Sequence, residues 1–93
     1  MEEIMKWFVY IARCKDTSLY TGITTDIKRR ELEHNKDNKL GAKSLRGKRP
    51  VQIVYFESYS TQSEARKREM AIKRWDKEYK LKLIQRKFFK GLP

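Results

Sequence analysis

An α+β fold, with a three-stranded antiparallel sheet flanked by helices, is predicted from two features of the sequence. Three short apolar runs, at residues 7–13, 19–21 and 51–57, lie between turn-forming segments and are typical of strands. Longer segments between and after these runs are predicted to be helices, which gives the order β-β-α-β-α-α. With 93 residues the chain can bury one modest core, so we expect residues 1–93 to form a single domain.

The first two strands are predicted to form a hairpin. The run from Trp7 to Arg13 is apolar at nearly every position, as expected for a strand that is covered on both faces. A polar turn at residues 15–18 separates it from the short strand at 19–21, and this spacing predicts antiparallel pairing. Gly22 follows, where the backbone must bend or another group must come close.

A run of N-cap residues, Thr24-Thr25-Asp26, predicts that the first helix spans about residues 26–35. The basic segment 36–49 is interpreted as a loop with one short helical turn, and Pro50 opens the third strand.

Thr61 and Glu64 have the spacing of a capping box, so the second helix begins there and runs to about Trp75. A last helix at about 77–87 places Leu81, Ile84 and Phe88 on one face.

The charge of the chain predicts a polyanionic partner. There are 23 Lys and Arg residues against 12 Asp and Glu, a net charge of +11 and an isoelectric point near 10.0. Such a surface attracts nucleic acid, an anionic membrane or an acidic protein. Hydrophobic residues make up 39% of the chain, which excludes a disordered tail.

Cysteine and histidine counts limit the chemistry. Cys14 is the one cysteine, so an internal disulfide is excluded, and we expect it to be buried. With one cysteine and one histidine, the composition does not predict a zinc site. Because there is no spanning apolar run and the start is acidic rather than signal-like, we expect a soluble protein of the reducing cytoplasm with no membrane partner.

The first helix has polar residues where a core-facing stripe is expected. Helical spacing puts Ile27, Arg30, Glu31 and His34 on one face, and among these only Ile27 is apolar. Two interpretations remain equal at this point. Either Arg30 and His34 face the sheet edge, or the helix docks through Ile27 alone and both polar side chains are solvated.

The second helix carries one carboxylate beside its packing face. Glu69 shares a stripe with Ala65 and Ile72. It could be a surface residue paired with Arg66 or Lys73, which the pattern favours, or an inward ligand for a divalent cation.

A phosphodiester-cleaving site could be built from these residues together with Tyr10 and Tyr20, which lie one in each paired strand. A metal polarises the phosphate, an arginine stabilises charge on its oxygens, and a phenol or imidazole handles a proton. There is no second cluster of carboxylates, so a two-metal site is not expected.

The same residues fall in motifs that resemble the GIY-YIG nuclease superfamily, in particular its small stand-alone single-domain bacterial members. Phe8-Val9-Tyr10-Ile11 and Tyr20-Thr21-Gly22-Ile23 resemble the paired strand motifs. Residues 25–34 resemble the first helix of the family, residues 41–48 its basic loop and residues 65–75 its carboxylate helix. The resemblance extends from about Trp7 to Ile84 and implies the fold predicted above.

The resemblance implies a role for each site residue. Tyr10 and Tyr20 would position or deprotonate the attacking water, Arg30 would steady the scissile phosphate, and His34 would support them or transfer a proton. Glu69 would be the single metal-binding glutamate, holding one Mg²⁺ or Mn²⁺ ion. Two positions depart from the name pattern: Phe8-Val9 stands in place of Gly-Ile, and Thr21 in place of Ile.

We therefore expect a metal-dependent endonuclease (a hydrolase) that acts on DNA, or on RNA as a second candidate, with weak sequence preference. Backbone contacts carry no sequence information, and the residues expected to make them are Lys43, Arg46, Lys48 and Arg49. The alternatives are a non-catalytic nucleic-acid-binding module and an adaptor that docks to a larger repair or processing enzyme. Phe88 and Phe89 also offer a contact for a weak homodimer.

Overall fold

A computed structural model describes residues 5–90, with side chains described as far as Arg86, and confirms the predicted α+β order. Its strands are β1 (Trp7–Arg13), β2 (Leu19–Thr24) and β3 (Gln52–Tyr59). Its α-helices are α1 (Ile27–Lys36), α2 (Gln62–Lys73) and α3 (Lys77–Lys90), and a 3₁₀ helix spans Lys43–Lys48.

The sheet has the order β2-β1-β3, and both pairings are antiparallel. The hairpin prediction is confirmed, as is the prediction that β1 is covered on both faces, because residues 9–12 are fully buried. Strand β2 is three residues longer than predicted, since its pairing with β1 continues to Phe8 and Thr24. Gly22 therefore lies inside the strand, so of the two alternatives given for this position the backbone bend does not apply.

Helix caps form where the sequence predicts them. The Asp26 carboxylate accepts a hydrogen bond from the Arg29 backbone N–H at 3.0 Å and starts α1. At the start of α2 the Thr61 hydroxyl accepts from the Glu64 N–H at 3.2 Å, while the Glu64 carboxylate accepts from the Thr61 N–H at 3.1 Å. This reciprocal pair is the predicted capping box.

Each face of the sheet has its own core cluster. On the face covered by α2, Val9 and Ile11 pack against Ala65 and Ile72, with Tyr55 alongside. On the other face, Tyr10, Ala12 and Cys14 pack against Leu45 and Val51, and Ile27 of α1 joins this cluster from its edge. Cys14 is a buried free thiol, as expected from the sequence.

Two further expectations from the sequence concern a dimer contact and the membrane. The side chains of Phe88 and Phe89 lie outside the described residues, so a dimer contact there is untested. Within residues 5–90, none of the helices has the length and apolar character needed to cross a bilayer.

Candidate active site

The two motif tyrosines lie on the same face of the sheet. Tyr10 is paired with Gly22 and Ala12 with Tyr20, and directly paired residues of an antiparallel ladder share a face. The tyrosines are thus diagonal neighbours, with ring centroids 6.3 Å apart. Tyr10 is fully buried, whereas Tyr20 is half-buried.

Gly22 makes room for the phenol of Tyr10. A Cβ atom at Gly22 would lie 2.6 Å from the Tyr10 Oη and 2.8 Å from its Cζ, so the hydroxyl of Tyr10 rests directly over the glycine. The close approach predicted from the sequence is therefore confirmed, and its cause is the tyrosine on the neighbouring strand.

His34 completes an aromatic group with the two tyrosines. It is fully buried on the inner side of α1, and its Nε2 lies 2.6 Å from the Tyr10 Oη. Its ring meets Tyr20 edge-on, with centroids 5.4 Å apart. The backbone N–H of Ala42 donates to the Nδ1 at 3.2 Å. Of the two interpretations of the polar stripe, the one with a solvated His34 is wrong.

Arg30 lies one turn before His34 and is half-buried. Its Nη1 donates to the Glu33 Oε1 at 2.8 Å and to the backbone carbonyl of Leu40 at 2.7 Å. Its guanidinium is also close enough to the hydroxyl of Tyr10 to lower the pKa of that group. The helix therefore brings one cation and one imidazole to the same phenol.

The surroundings keep Tyr10 and His34 uncharged at neutral pH. Burial raises the pKa of Tyr10 to about 12, with smaller upward contributions from Tyr20 and Glu69, although Arg30 opposes them. Burial also lowers the pKa of His34 to about 4, aided by the positive charges of Arg30 and Arg49 and opposed by Glu33.

Glu69 satisfies parts of both interpretations drawn from the sequence. The residue is 7% exposed, in line with Ala65 and Ile72, so it faces inward. Its carboxylate also pairs with Lys73 at 3.3 Å and with Arg66 at 3.8 Å. The side chains of both partners are more than half exposed, so they can move aside without disturbing the core.

The chemistry of the donors suits one hard cation held with its substrate. Among the side chains described, no group of three or more His, Cys, Asp or Glu residues is placed to hold a metal ion. A single buried carboxylate is nevertheless a normal protein contribution to Mg²⁺, which takes its other ligands from phosphate oxygens and water. The residues present fit one Mg²⁺ or Mn²⁺ ion on these terms.

The four basic residues expected to contact nucleic acid lie in different settings. Lys43 is exposed, and the exposed Arg46 donates to the Asn38 carbonyl. Lys48 reaches the Ser18 hydroxyl at 3.4 Å. Arg49 has a structural task at the end of α1, because its Nε donates to the His34 carbonyl at 2.6 Å and its Nη2 to the Asp37 carbonyl at 3.2 Å.

Other polar residues of α1 hold the third strand, which sequence reasoning did not find. The Asn35 side chain accepts from the Val51 N–H at 2.6 Å and donates to the Val51 carbonyl at 2.7 Å. The Glu31 carboxylate accepts from the Ile53 N–H at 2.7 Å. The polar stripe was the signal, since such side chains can bond the open edge of a strand instead of packing.

Phe8 lies on the site face, two residues before Tyr10, as its place in the strand requires. Its ring packs edge-on against Phe56 of β3, with centroids 5.7 Å apart. The departure from glycine at this position therefore adds an aromatic pair beside the tyrosines.

Comparison with known proteins identifies relatives of this chain. Residues 6–82 match the family model described as the GIY-YIG catalytic domain. A UPF0213 protein of Staphylococcus epidermidis is 51% identical over 80 residues, which is 86% of this chain and 95% of the relative. A UPF0213 protein of Haloquadratum walsbyi is 50% identical over 78 residues, covering 84% and 85% of the two chains.

A solved structure has a similar fold. The solution NMR structure of a UPF0213 protein from Bacillus halodurans is 37% identical in sequence and superposes with a TM-score of 0.55. The match covers 87% of this chain and 84% of the other.

Proposed function

The chain belongs to the GIY-YIG catalytic-domain family, and we propose that it hydrolyses phosphodiester bonds of nucleic acid with one divalent cation, DNA being the favoured substrate. The observation that carries this proposal is the convergence of Tyr10, Tyr20 and His34 beside Arg30. The charge of Glu69, on α2, adds a small upward contribution to the pKa of Tyr10. Chemistry-bearing groups of β1, β2 and α1 thus meet on one face of the sheet.

Glu69 is the proposed ligand of the cation. When bound, Mg²⁺ or Mn²⁺ supplies a positive charge that polarises the phosphate and makes a bound water more acidic. Arg66 and Lys73 now neutralise the carboxylate, and both belong to the exposed side of α2. On substrate binding these cations can transfer to the phosphates of the nucleic acid, which leaves the Glu69 oxygens available.

Tyr10 holds the attacking water chiefly as a neutral phenol. With a pKa of about 12, roughly one molecule in 10⁵ carries the phenolate at pH 7. A neutral hydroxyl can still orient a water by hydrogen bonding, and it can take a proton from that water as the bond to phosphorus forms if its own proton passes to a phosphate oxygen. The charge of Arg30 favours the phenolate and so reduces the cost of that transfer.

Arg30 is the proposed stabiliser of the phosphoryl oxygens. Its guanidinium is fixed by Glu33 and the Leu40 carbonyl, so it does not have to be ordered when charge grows on the phosphate. Tyr20 is half-buried against His34, and its proposed role is to contact the water or the phosphate from the neighbouring strand.

Weak sequence preference is proposed because the surrounding positive charge suits the backbone rather than the bases. Lys43, Arg46 and Lys48 are candidates for these contacts, and Arg49 contributes charge while it holds α1. Binding through phosphates releases counterions, so affinity should fall steeply as salt increases.

Substitution of Glu69 tests the proposal. Wild type and Glu69→Gln are incubated with labelled single-stranded, duplex and branched DNA and with RNA, in Mg²⁺, Mn²⁺ or EDTA. We expect cleavage by wild type that EDTA abolishes, and a loss of at least about 100-fold in Glu69→Gln with binding retained. Glu78→Gln removes the same charge from an exposed position of α3 and should cleave normally. Equal cleavage by wild type and Glu69→Gln would contradict the metal assignment.

A second candidate function is a nucleic-acid-binding module without turnover. The two ion pairs of Glu69 favour it, because a carboxylate neutralised by Lys73 and Arg66 needs no metal to be stable. This candidate predicts equal, salt-dependent binding by wild type and Glu69→Gln, and no cleavage with any of the substrates and metals above.

A further inference from the structure

The hydrogen bonds of His34 determine which ring nitrogen carries its proton. The backbone N–H of Ala42 can only donate, and it points at the Nδ1 from 3.2 Å. The Nδ1 therefore accepts and carries no hydrogen. In a neutral imidazole the one hydrogen must then be on Nε2, which lies 2.6 Å from the Tyr10 Oη.

Gly41 allows the loop to reach this position. It is buried against the end of α1, where an added Cβ would lie 2.6 Å from the Asp37 carbonyl oxygen and would also collide with that of Glu33. Its own N–H donates to the Asp37 carbonyl at 3.1 Å, which holds the chain against the helix. The next amide, that of Ala42, is then directed at His34.

From this geometry we propose that His34 is locked as the Nε2–H tautomer by the Ala42 amide and donates a hydrogen bond to Tyr10. In this arrangement His34 is a positioning residue, and it is not the base that removes the proton of Tyr10. The significance for catalysis rests on the function proposed above, whereas the tautomer itself does not.

The Nε2–H tautomer of His34 determines where the proton of Tyr10 can go. The phenol oxygen accepts from His34, so its own hydrogen points elsewhere and can be donated to another acceptor. If Tyr10 loses that proton, the proton passes to a phosphate oxygen of the substrate, and the phenolate keeps the His34 N–H as a donor. His34 begins and ends the step as a neutral imidazole, so atoms and charge balance.

Other groups facing His34 keep it neutral. Arg30 and Arg49 oppose a positive charge on the ring, and Glu33 partly compensates for them. Tyr10 and Tyr20 face the ring as uncharged phenols from the two strands. A second proton would have to enter at Nδ1, where the Ala42 N–H already points.

The chain has a single histidine, so NMR can test the lock without site assignment. In ¹⁵N-labelled wild-type protein, the ring nitrogens should report Nε2–H and an unprotonated Nδ1 throughout pH 5.5–8. Detection of the Nδ1–H tautomer, of a fast-exchanging mixture, or of an imidazolium in this range would overturn the proposal. This measurement requires no activity, so it fails or succeeds independently of the nuclease hypothesis.

Substitution of two nearby glycines tests whether the loop fixes the tautomer of His34. Gly41→Ala should displace the loop, give a mixture of tautomers and move the His34 titration towards pH 6.5. Gly47→Ala adds the same methyl where nothing lies within 4 Å, and it should leave the spectrum of the ring unchanged. A Gly41→Ala protein that is folded and keeps the pure Nε2–H tautomer would contradict the role of the loop.

The cleavage rates of two His34 variants distinguish a hydrogen-bond donor from a group that transfers a proton. Glutamine can donate from about the position of Nε2 but cannot relay a proton, whereas alanine can do neither. We expect His34→Gln to keep cleavage within about tenfold of wild type and His34→Ala to lose 100-fold or more. Equal loss in both variants would mean that His34 acts as a base, and the donor role would be wrong.

Discussion

On one face of the sheet α2 docks through the apolar side chains of Ala65 and Ile72, whereas on the other face α1 docks largely through polar groups. The α2 face is a conventional core in which buried area stabilises the fold. The α1 face buries a histidine and uses Glu31 and Asn35 to bond the backbone at the start of β3. Polar docking costs stability but leaves ionisable groups in fixed positions beside a phenol, which is what a catalytic face requires.

A matched pair of isoleucines should reveal the largest difference between the faces. Ile72 of α2 is fully buried, whereas Ile27 of α1 is half-buried at the edge of its cluster. We expect Ile72→Ala to lower the free energy of unfolding by roughly 3–5 kcal/mol and Ile27→Ala by about 1 kcal/mol, as measured by urea denaturation. Equal losses would show that α1 depends on apolar packing as much as α2 does.

The pH dependence of stability should also distinguish the two faces, because the α1 face contains the buried imidazole. The pKa of His34 is about 4 in the folded chain against 6.5 for a free side chain. Between these values the unfolded chain binds more protons, so stability falls as the pH drops from 6.5 to 4. The total loss is at most about 3 kcal/mol, with a slope no steeper than about 1.4 kcal/mol per pH unit.

A control isolates the contribution of His34 to this profile. Three carboxyl groups with lowered pKa values, Asp16, Asp37 and Glu57, lose their stabilising contribution at lower pH than His34. Denaturation midpoints of His34→Gln should therefore be nearly flat between pH 6.5 and 5, where those of wild type decline. A wild-type profile that is equally flat would contradict a neutral, buried His34.

Substitution of Thr21, which lies on the α2 face, should change the free energy of unfolding by a smaller amount and in the opposite direction. It is paired with Ile11 and is 3% exposed, and its hydroxyl has no hydrogen-bond partner among the described residues. Thr21→Val replaces that hydroxyl with a methyl group and should raise the free energy of unfolding by about 1 kcal/mol. A loss of stability in thermal unfolding would indicate that the hydroxyl has a partner, such as a buried water.

The fold could be predicted almost entirely from the sequence because its signals are local. The apolar run of β1, the cap at Asp26 and the capping box at Thr61 and Glu64 each define an element without reference to the rest of the chain. The exception was β2, whose last three residues pair with β1 although their own pattern does not indicate a strand.

The site could be predicted in part. Tyr10, Tyr20, Arg30 and His34 lie together on the α1 face, but their common face depends on strand register, which the sequence did not determine. The Ala42 amide was not predictable, since a backbone group has no sequence signature and its position depends on the packing of Gly41 against α1. Neither of the two interpretations of Glu69 is correct by itself, because the residue is both buried and ion-paired.

Single-turnover cleavage of labelled DNA by Tyr10→Phe in Mg²⁺ tests most directly whether the α1 face is an active site. This substitution removes one oxygen and keeps the ring that packs on the sheet. Tyr79→Phe, at a residue 60% exposed on α3, is the matched control. We expect a folded Tyr10→Phe protein whose cleavage rate is lower than that of wild type by at least about 100-fold, with Tyr79→Phe unaffected. Cleavage by Tyr10→Phe at the wild-type rate would show that the α1 face is not an active site and that its polar groups only dock α1.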